Sequence, residues 1–521
     1  MFYRVVFLFL VLCVSAQGRD LSNLTTGEMN YAANVHYDTV SADLLKPYWH
    51  LTNPSGHWWD INGATYYNGK YHIFFLRNKY NSQGEMMLNV WSWGHASSRD
   101  MLHWRFHKDI FVAGAYSGEG SHSSFYSGDI IDNLEEPVLV ISDKGVHFAK
   151  PKDPDLLEWE IDENFAVPPP TDDDPYIMFD PYCWYDKEKG EYNLLLGNKH
   201  KGGEPRGDTT SLFKSKELKD FEYVGQFYES NREFTGIHED CACVDFFPLG
   251  DKWVMFNHNH QPTTCVRYYI GSKDDTTFTP EKVGRFGTYH NAVFAPESFY
   301  DPIHDRRVLY CSLIPSGRGW AISASVPMEV SLHEDGNLKI IPIRELESLF
   351  YDKEVASFSL ENSEKKLEKM GSLSYSLDVK ISGEYESAGV KIVSAPDESE
   401  FLKIEYIPQE KIVRIDFEHS RAGEKTIRAK YAGEAIDANQ VEKQIFVTTQ
   451  DIPVEIPDGE DIHLRILRDG CIVELFINDR FYCAEYVYPK TPYTSVESSA
   501  FTKGKAKFKI EYNKIDSAIS L

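Results

Sequence analysis

Two carboxylates in aromatic settings are the residues of this chain best suited to chemistry. Asp60 lies in residues 54–64 (PSGHWWDINGA), directly after Trp58 and Trp59 and just before Asn62-Gly63. Aromatic faces stack on the apolar faces of sugar rings, and a carboxylate beside them can attack or stabilise an anomeric carbon. The bland reading of Asp60 is the cap of a tight turn. Asp180 lies in residues 176–184 (YIMFDPYCW), where Asp-Pro after an apolar run equally serves to open a turn. Glycoside cleavage also needs a proton donor for the leaving oxygen. Residues 235–247 (TGIHEDCACVDFF) offer Glu239, Asp240 and Asp245 for that role. A buried aromatic environment would raise a carboxyl pKa toward neutrality, as a general acid requires.

The same segment admits a rival chemistry. His238, Glu239, Asp240, Cys241 and Cys243 are all possible metal ligands, but their spacing matches no paired C-x-x-C zinc pattern. Residues 255–260 (MFNHNH) resemble a nuclease motif only superficially, since no ββα context surrounds them. His258 and His260 read better as hydrogen-bonded residues on one face of a strand. No Gly-rich phosphate loop occurs, so a nucleotide enzyme is disfavoured and no cofactor or metal is expected.

Charge narrows the partners. The 521 residues carry 54 Lys and Arg against 80 Asp and Glu, a formal net charge of −26. Such a surface repels phosphate, so nucleic acid and anionic membrane are poor partners, whereas a neutral sugar is not repelled. Residues 1–16 read as a secretory signal: Arg4 is followed by ten apolar residues, Val5 to Val14, and by the small residues Ser15 and Ala16. Ten apolar residues are too few to span a bilayer, so a secreted protein is expected. Asn23-Leu24-Thr25 is a glycosylation sequon. Cys13 leaves with the leader, and seven cysteines remain, an odd number. Cys471 and Cys483 flank the turn Asn478-Asp479 and form the one suggested bridge.

Carboxylates so far apart in sequence meet only if a fold gathers them. All ten tryptophans lie between Trp49 and Trp320, and this part consists of short β-runs. A serine six residues before an aromatic recurs at Ser98, Ser142, Ser215 and Ser272. Polar turns between aromatic runs recur at 67–71 (YNGKY), 184–192 (WYDKEKGEY) and 247–253 (FPLGDKW), a hairpin signal. The intervals suit four-stranded blades, five or six of them, in a β-propeller whose inner strands converge on a funnel. A sandwich or an irregular β-domain is the alternative. The C-terminal part alternates apolar and polar residues, as in 372–382 (SLSYSLDVKIS), 462–468 (IHLRILR) and 471–478 (CIVELFIN), which predicts an antiparallel β-sandwich. The expected all-β organisation is therefore a leader over 1–16, a five-bladed propeller over 30–350 and a sandwich over 356–521. Residues 343–353 (IRELESLFYDK) have a short helical pattern and form the expected connector.

From about residue 45 to about 510, in order, the chain resembles glycoside hydrolase family 32, the invertases, inulinases and related β-fructofuranosidases. Residues 57–63 (HWWDING), followed by 69–75 (GKYHIFF), resemble the family's opening block and put Asp60 at its nucleophile. Residues 93–104 (WGHASSRDMLHW) look like the Trp-Gly-His block. Residues 125–131 (FYSGDII) look like the Phe-Ser-Gly block and place Ser127 beside the sugar. Phe179-Asp180-Pro181 matches the Arg-Asp-Pro block, making Asp180 the transition-state stabiliser that holds sugar hydroxyls. The resemblance implies a secreted retaining glycosidase acting on β-fructofuranosides, such as sucrose or a fructan, or on a related furanoside. Trp58, Trp59, Asn62, Trp93, Ser127 and Phe179 would then bind the sugar.

Three departures from the family pattern stand out. Ile61 replaces the proline after the nucleophile, and Phe179 replaces the arginine before Asp180, which removes a charge partner. The family's acid/base Glu directly precedes a Cys. Anchoring on residues 243–248 (CVDFFP) puts Ala242 there, and anchoring on Thr235-Gly236 puts Glu239 there. Glu239 is the expected acid/base, with Asp240 as its substitute. An Ala at that position instead implies a catalytically weakened carbohydrate-binding protein on the same scaffold. A fructosyl-type transferase shares the covalent intermediate and is a third possibility.

Overall fold

The computed structural model describes residues 43–52, 58–80, 86–113, 124–197, 207–235, 239–259, 265–287, 292–314, 322–420, 448–457, 459–492 and 494–518. The leader, Asn23, His238 and His260 lie outside the described residues. No helix among the described residues is long and apolar enough to cross a membrane.

Five four-stranded antiparallel units come first. Blade one is β1 (Trp58–Tyr67), β2 (Lys70–Tyr80), β3 (Met86–Ser98) and β4 (Trp104–Phe106). Blade two is β5 (Tyr126–Ile131), β6 (Val138–Ser142), β7 (Val146–Pro151) and β8 (Trp159–Ile161). Blade three is β9 (Pro181–Asp186), β10 (Glu191–Gly197), β11 (Thr209–Ser215) and β12 (Glu222–Glu229). Blade four is β13 (Ala242–Leu249), β14 (Lys252–Asn259), β15 (Cys265–Lys273) and β16 (Phe278–Arg285). Blade five is β17 (Val293–Asp301), β18 (Arg306–Leu313), β20 (Met328–Leu332) and β21 (Leu338–Pro342), with the short β19 (Ser323–Ala324) paired to β18. The first strands close a ring: β1 packs beside β5 and β17, β5 beside β9, and β13 beside both β9 and β17. This is the five-bladed propeller expected from the sequence.

The turn chemistry explains the sequence repeats. The polar turns at Asn68-Gly69, at 187–190 and at Gly250-Asp251 each join a first strand to its second strand. The serine-to-aromatic spacing marks the third-to-fourth strand connection in blades one, three and four, and the β6–β7 hairpin in blade two. In each, an oxygen close to the serine caps the turn. Asp100 Oδ1 accepts from the Leu102 and His103 N–H groups at 3.0 and 2.8 Å. Asp274 Oδ1 does the same for Thr276 and Thr277 at 2.8 and 2.7 Å.

After β21 a single 3-10 turn, Arg344–Leu349, carries the chain to β22 (Phe350–Lys366). The helical pattern predicted over 343–353 thus ends at Leu349, and its last four residues are strand. The C-terminal strands are β23 (Ser374–Ser394), β24 (Leu402–Ile407), β25 (Ile412–Asp416), β26 (Thr449–Pro453), β27 (Ile462–Asp469), β28 (Ile472–Ile477), β29 (Phe481–Tyr486) and β30 (Glu497–Ile515). They form one curled, sandwich-like antiparallel sheet. The 21-residue β23 makes the curl, pairing β27 with its first half, β24 with its second half and β30 along both. It bends at Gly383, whose φ of +124° only glycine adopts freely and where a Cβ would stand 2.4 Å from the Lys505 carbonyl oxygen.

None of the seven cysteines after the leader is in a disulfide, which overturns the bridge expected between Cys471 and Cys483. The hairpin at Asn478-Asp479 is present, but its register sets Leu475 opposite Cys483, while the Cys471 carbonyl accepts from Val487. A disulfide needs its two residues nearly opposite one another.

A column of imidazoles stiffens blade one. His72 Nδ1 lies 3.0 Å from His95 Nε2, and His95 stacks on Phe74 with ring centres 4.7 Å apart. Burial lowers the His72 pKa to about 4, the Tyr67 carbonyl acting against it and the Lys70 and His107 charges adding to it; burial also takes His95 well below the usual value. Between pH 6.5 and about 4 the unfolded chain therefore binds a proton at His72 that the native state does not, so stability falls as the pH falls through that window. His72 alone contributes about 2–3 kcal/mol to this slope. Urea unfolding at pH 7 and pH 4.5 should show the loss, and His72→Asn should flatten it. An equal slope in the variant refutes the assignment.

Candidate functional site

The first strands run parallel around the ring, so their starts share one face, and there the backbone is irregular. Register shifts interrupt β1 between Trp58 and Ala64, β5 between Tyr126 and Asp129, β13 between Ala242 and Asp245, and β17 between Phe294 and Pro296. A bulge kinks the strand and re-aims the side chains beside it. Asp180, just before β9, has φ +32°, and Cys243 in β13 has φ +45°, both in the left-handed region that bulky residues avoid. Gly128 lets β5 close in on its neighbours, since a Cβ there would stand 2.0 Å from the Val140 carbonyl oxygen and 2.9 Å from the Trp93 ring.

These distortions bring Asp60 and Asp180 together around Cys243. Ser127 Oγ donates to Asp60 Oδ2 at 2.7 Å. Cys243 Sγ lies 3.7 Å from Asp60 Oδ2 and 3.7 Å from Asp180 Oδ2. The Cys243 N–H donates to Asp180 Oδ2 at 3.0 Å. Burial raises the Cys243 thiol pKa well above its usual value, and the Asp180, Asp60 and Glu297 charges add to it, so the group is neutral.

Glu239 occupies a different setting. It is buried, with Oε2 2.5 Å from Arg267 and 2.9 Å from Arg285, and Oε1 3.1 Å from Arg285. Arg267 also binds Asp208 Oδ1 and Asn257 Oδ1, each at 2.9 Å, and the carbonyl of the buried Asp240 at 2.6 Å. Both Glu239 oxygens therefore accept from guanidiniums, whereas a general acid must present a proton to the leaving oxygen. Ala242 is buried at the start of β13 and carries no exchangeable side-chain proton.

The aromatics divide. Trp58 and Trp93 have no exposed surface: Trp58 packs edge-on against Phe75, and Trp93 donates to the Tyr126 carbonyl at 3.1 Å. Both hold the walls together and present no face to a ligand, a correction to the expected sugar contacts. Asn62 is likewise fully buried. Trp59 is half-buried, fixed by an Nε1–H bond to Asn78 Oδ1 at 2.6 Å and set edge-on to Trp91. Phe179 is half-buried beside Gly197, an apolar ring where the resemblance called for a cation.

Two features escaped sequence reasoning. Below Cys243, Asp129 and Glu297 are buried and hydrogen-bonded to each other, and burial raises both well above the usual carboxylate range, reinforced by nearby acids. Asp245, named as a possible donor, lies in the same layer, where burial lifts its pKa to about 6 against the opposing charge of Arg307, 3.5 Å away. The other feature is the arginine clamp on Glu239. Its one sequence signal is Arg267, a lone charge inside the apolar run 265–271 (CVRYYIG). Among the described residues no group of three His, Cys, Asp or Glu could hold a metal ion.

Comparison with known proteins agrees with this architecture. A sequence profile described as Glycosyl hydrolases family 32 N-terminal domain matches residues 50–342, and one described as Glycosyl hydrolases family 32 C terminal matches residues 345–515. An acid beta-fructofuranosidase of Phaseolus vulgaris is 29% identical over 379 residues, 64% of this chain and 55% of that protein. One of Solanum lycopersicum is 25% identical over 546 residues, 90% of this chain and 82% of that protein. The chain spans about half the length of the first curated relatives it matches. Fructan 1-exohydrolase IIa from Cichorium intybus, also solved with 1-kestose, superposes with a TM-score of 0.76 at 19% identity, over 91% of this chain and 98% of that one.

Proposed function

Because the chain belongs to glycosyl hydrolase family 32, we propose that it cleaves β-fructofuranosides with retention, through a covalent fructosyl-enzyme on Asp60. The observation that carries this reading is the convergence of Asp60 and Asp180 on Cys243, with the Ser127 hydroxyl bonded to Asp60. In the first step an Asp60 oxygen attacks the anomeric carbon as the glycosidic bond breaks. Asp180 accepts hydrogen bonds from sugar hydroxyls. In the second step water attacks the anomeric carbon and breaks the ester bond, releasing fructose and the Asp60 carboxylate, and the proton that water sheds balances the one taken up by the departed leaving group. Oligofructosides of the 1-kestose type are neutral and are not repelled by the acidic surface, and the apolar leader sequence supports secretion.

The departure from the family lies in the proton. Glu239 is the residue proposed to supply it, yet both its oxygens are engaged by the guanidiniums of Arg267 and Arg285. Cleavage then depends on how well the leaving group departs unprotonated. Aryl fructofuranosides, which leave as phenolates, should outpace sucrose in kcat/KM by about 10²–10⁴, the usual size of a general-acid contribution. A series of aryl and alkyl fructosides measures this as a steep dependence of rate on leaving-group pKa. A flat dependence rejects the weak-acid reading and assigns a working proton donor.

The same clamp and Ala242 favour a second reading, a fructoside-binding protein with no turnover. It predicts 1-kestose binding by calorimetry with no monosaccharide released from either substrate class.

A further inference from the structure

We propose that Cys243 is a positioning residue, which with Ser127 fixes the Asp60 carboxylate by its Oδ2 and holds Asp180 at a set distance from it. This rests on the reading of Asp60 as nucleophile. Two donors from two blades aim at one oxygen, the Ser127 hydroxyl at 2.7 Å and the Cys243 thiol at 3.7 Å. Oδ2 therefore stays in place as the ester carbonyl oxygen while Oδ1 forms the bond to the anomeric carbon.

The backbone makes the arrangement. The bulge in β13 and the left-handed φ of Cys243 turn both its N–H and its sulfur toward Asp180 Oδ2. The one S–H proton can reach either carboxylate, so the neutral thiol stands between them as a shared donor. The titratable groups that face it are Asp60 from β1, Asp180 ahead of β9 and Glu297 from β17; the neutral Ser127 faces the same Asp60 oxygen from β5. A donor lying between two carboxylates offsets their mutual repulsion. Removing the donor leaves like charges facing each other and frees Asp60 to rotate away from the attack direction, a misplacement that costs rate steeply.

The test uses the full chain, an aryl β-fructofuranoside, and the variants Cys243→Ala and Cys243→Ser. For Cys243→Ala, kcat should fall about 10–100-fold with little change in KM. The acid limb of its kcat/KM profile should move up by about one pH unit. Serine, which also donates, should restore kcat and place the acid limb at or below that of the wild type. Quench-flow mass spectrometry of the fructosyl-enzyme separates the two layers of the argument. No adduct in the wild type rejects Asp60 as nucleophile. Adduct formed at the wild-type rate by Cys243→Ala, with an unmoved acid limb, overturns the positioning role. A purely structural role would lower the unfolding midpoint and leave the pH profile where it was. If Cys243→Ala does not fold, Cys243→Ser alone decides, since an acid limb above that of the wild type overturns the proposal.

Discussion

Asp60→Asn should reduce hydrolysis of an aryl β-fructofuranoside by about 10³-fold or more, with KM little changed. The amide has nearly the volume of the carboxylate and its oxygen can still accept from Ser127, so the site stays assembled. What is lost is the electron pair that forms the glycosyl ester. An aryl substrate is the stringent choice because its departure needs little protonation, which isolates the nucleophile from the acid. Steady-state kinetics and adduct detection on the same preparations provide the measurement. Residual activity above about a tenth of the wild type would remove Asp60 from the chemistry. Asp180→Asn should cost less in kcat and more in KM, since that group binds hydroxyls without forming a bond to carbon.

The second large effect concerns stability. His50→Ala should destabilise the chain by about 3–5 kcal/mol, because it strands two buried carboxylates. His50 Nδ1 lies 2.8 Å from Asp469 Oδ2 and Nε2 lies 3.0 Å from Glu474 Oε2, and all three side chains are fully buried. Asp469 also accepts the N–H groups of Tyr48, Trp49 and His50, which ties the segment before the propeller to β27. Glu474 accepts from Tyr482 and from the Val326 N–H, which ties β28 to blade five. Burial alone would lower the His50 pKa, but Glu474 and Asp469 more than offset it and raise it to about 9. The native state therefore holds a proton at His50 that the unfolded chain releases above pH 6.5. This contribution is complete below pH 6.5 and fades as the pH rises through about 9. Urea unfolding across that range should show the slope in the wild type and not in His50→Ala. Equal stability of the two proteins at pH 6 would show that the ion triad carries no load.

Local chemistry made much of the fold legible. The Asn68-Gly69 and Gly250-Asp251 turns lie where their residues require them, because hairpin turns depend on a few neighbouring backbone angles. The Cys471–Cys483 bridge failed for the complementary reason: two cysteines can flank a turn in sequence, but only the register decides whether they stand opposite. The buried Trp58 and Trp93 failed as sugar platforms because an aromatic side chain serves a core as readily as a pocket, and packing alone chooses between them.

By itself the chain determined the all-β class and the recurrence of blades and nominated Asp60 and Asp180 as candidates, since alternation, turn residues and short motifs are properties of neighbours. Only the tertiary structure decided that Cys243 separates those two carboxylates, that Arg267 and Arg285 clamp Glu239, and that Asp129 meets Glu297 beneath them. The first and last of these contacts join different blades, and the clamp joins β15 and β16 to the segment ahead of β13. The electrostatics of a buried group depend on whatever charge the ring closure brings within a few ångströms, and no local pattern encodes that distance.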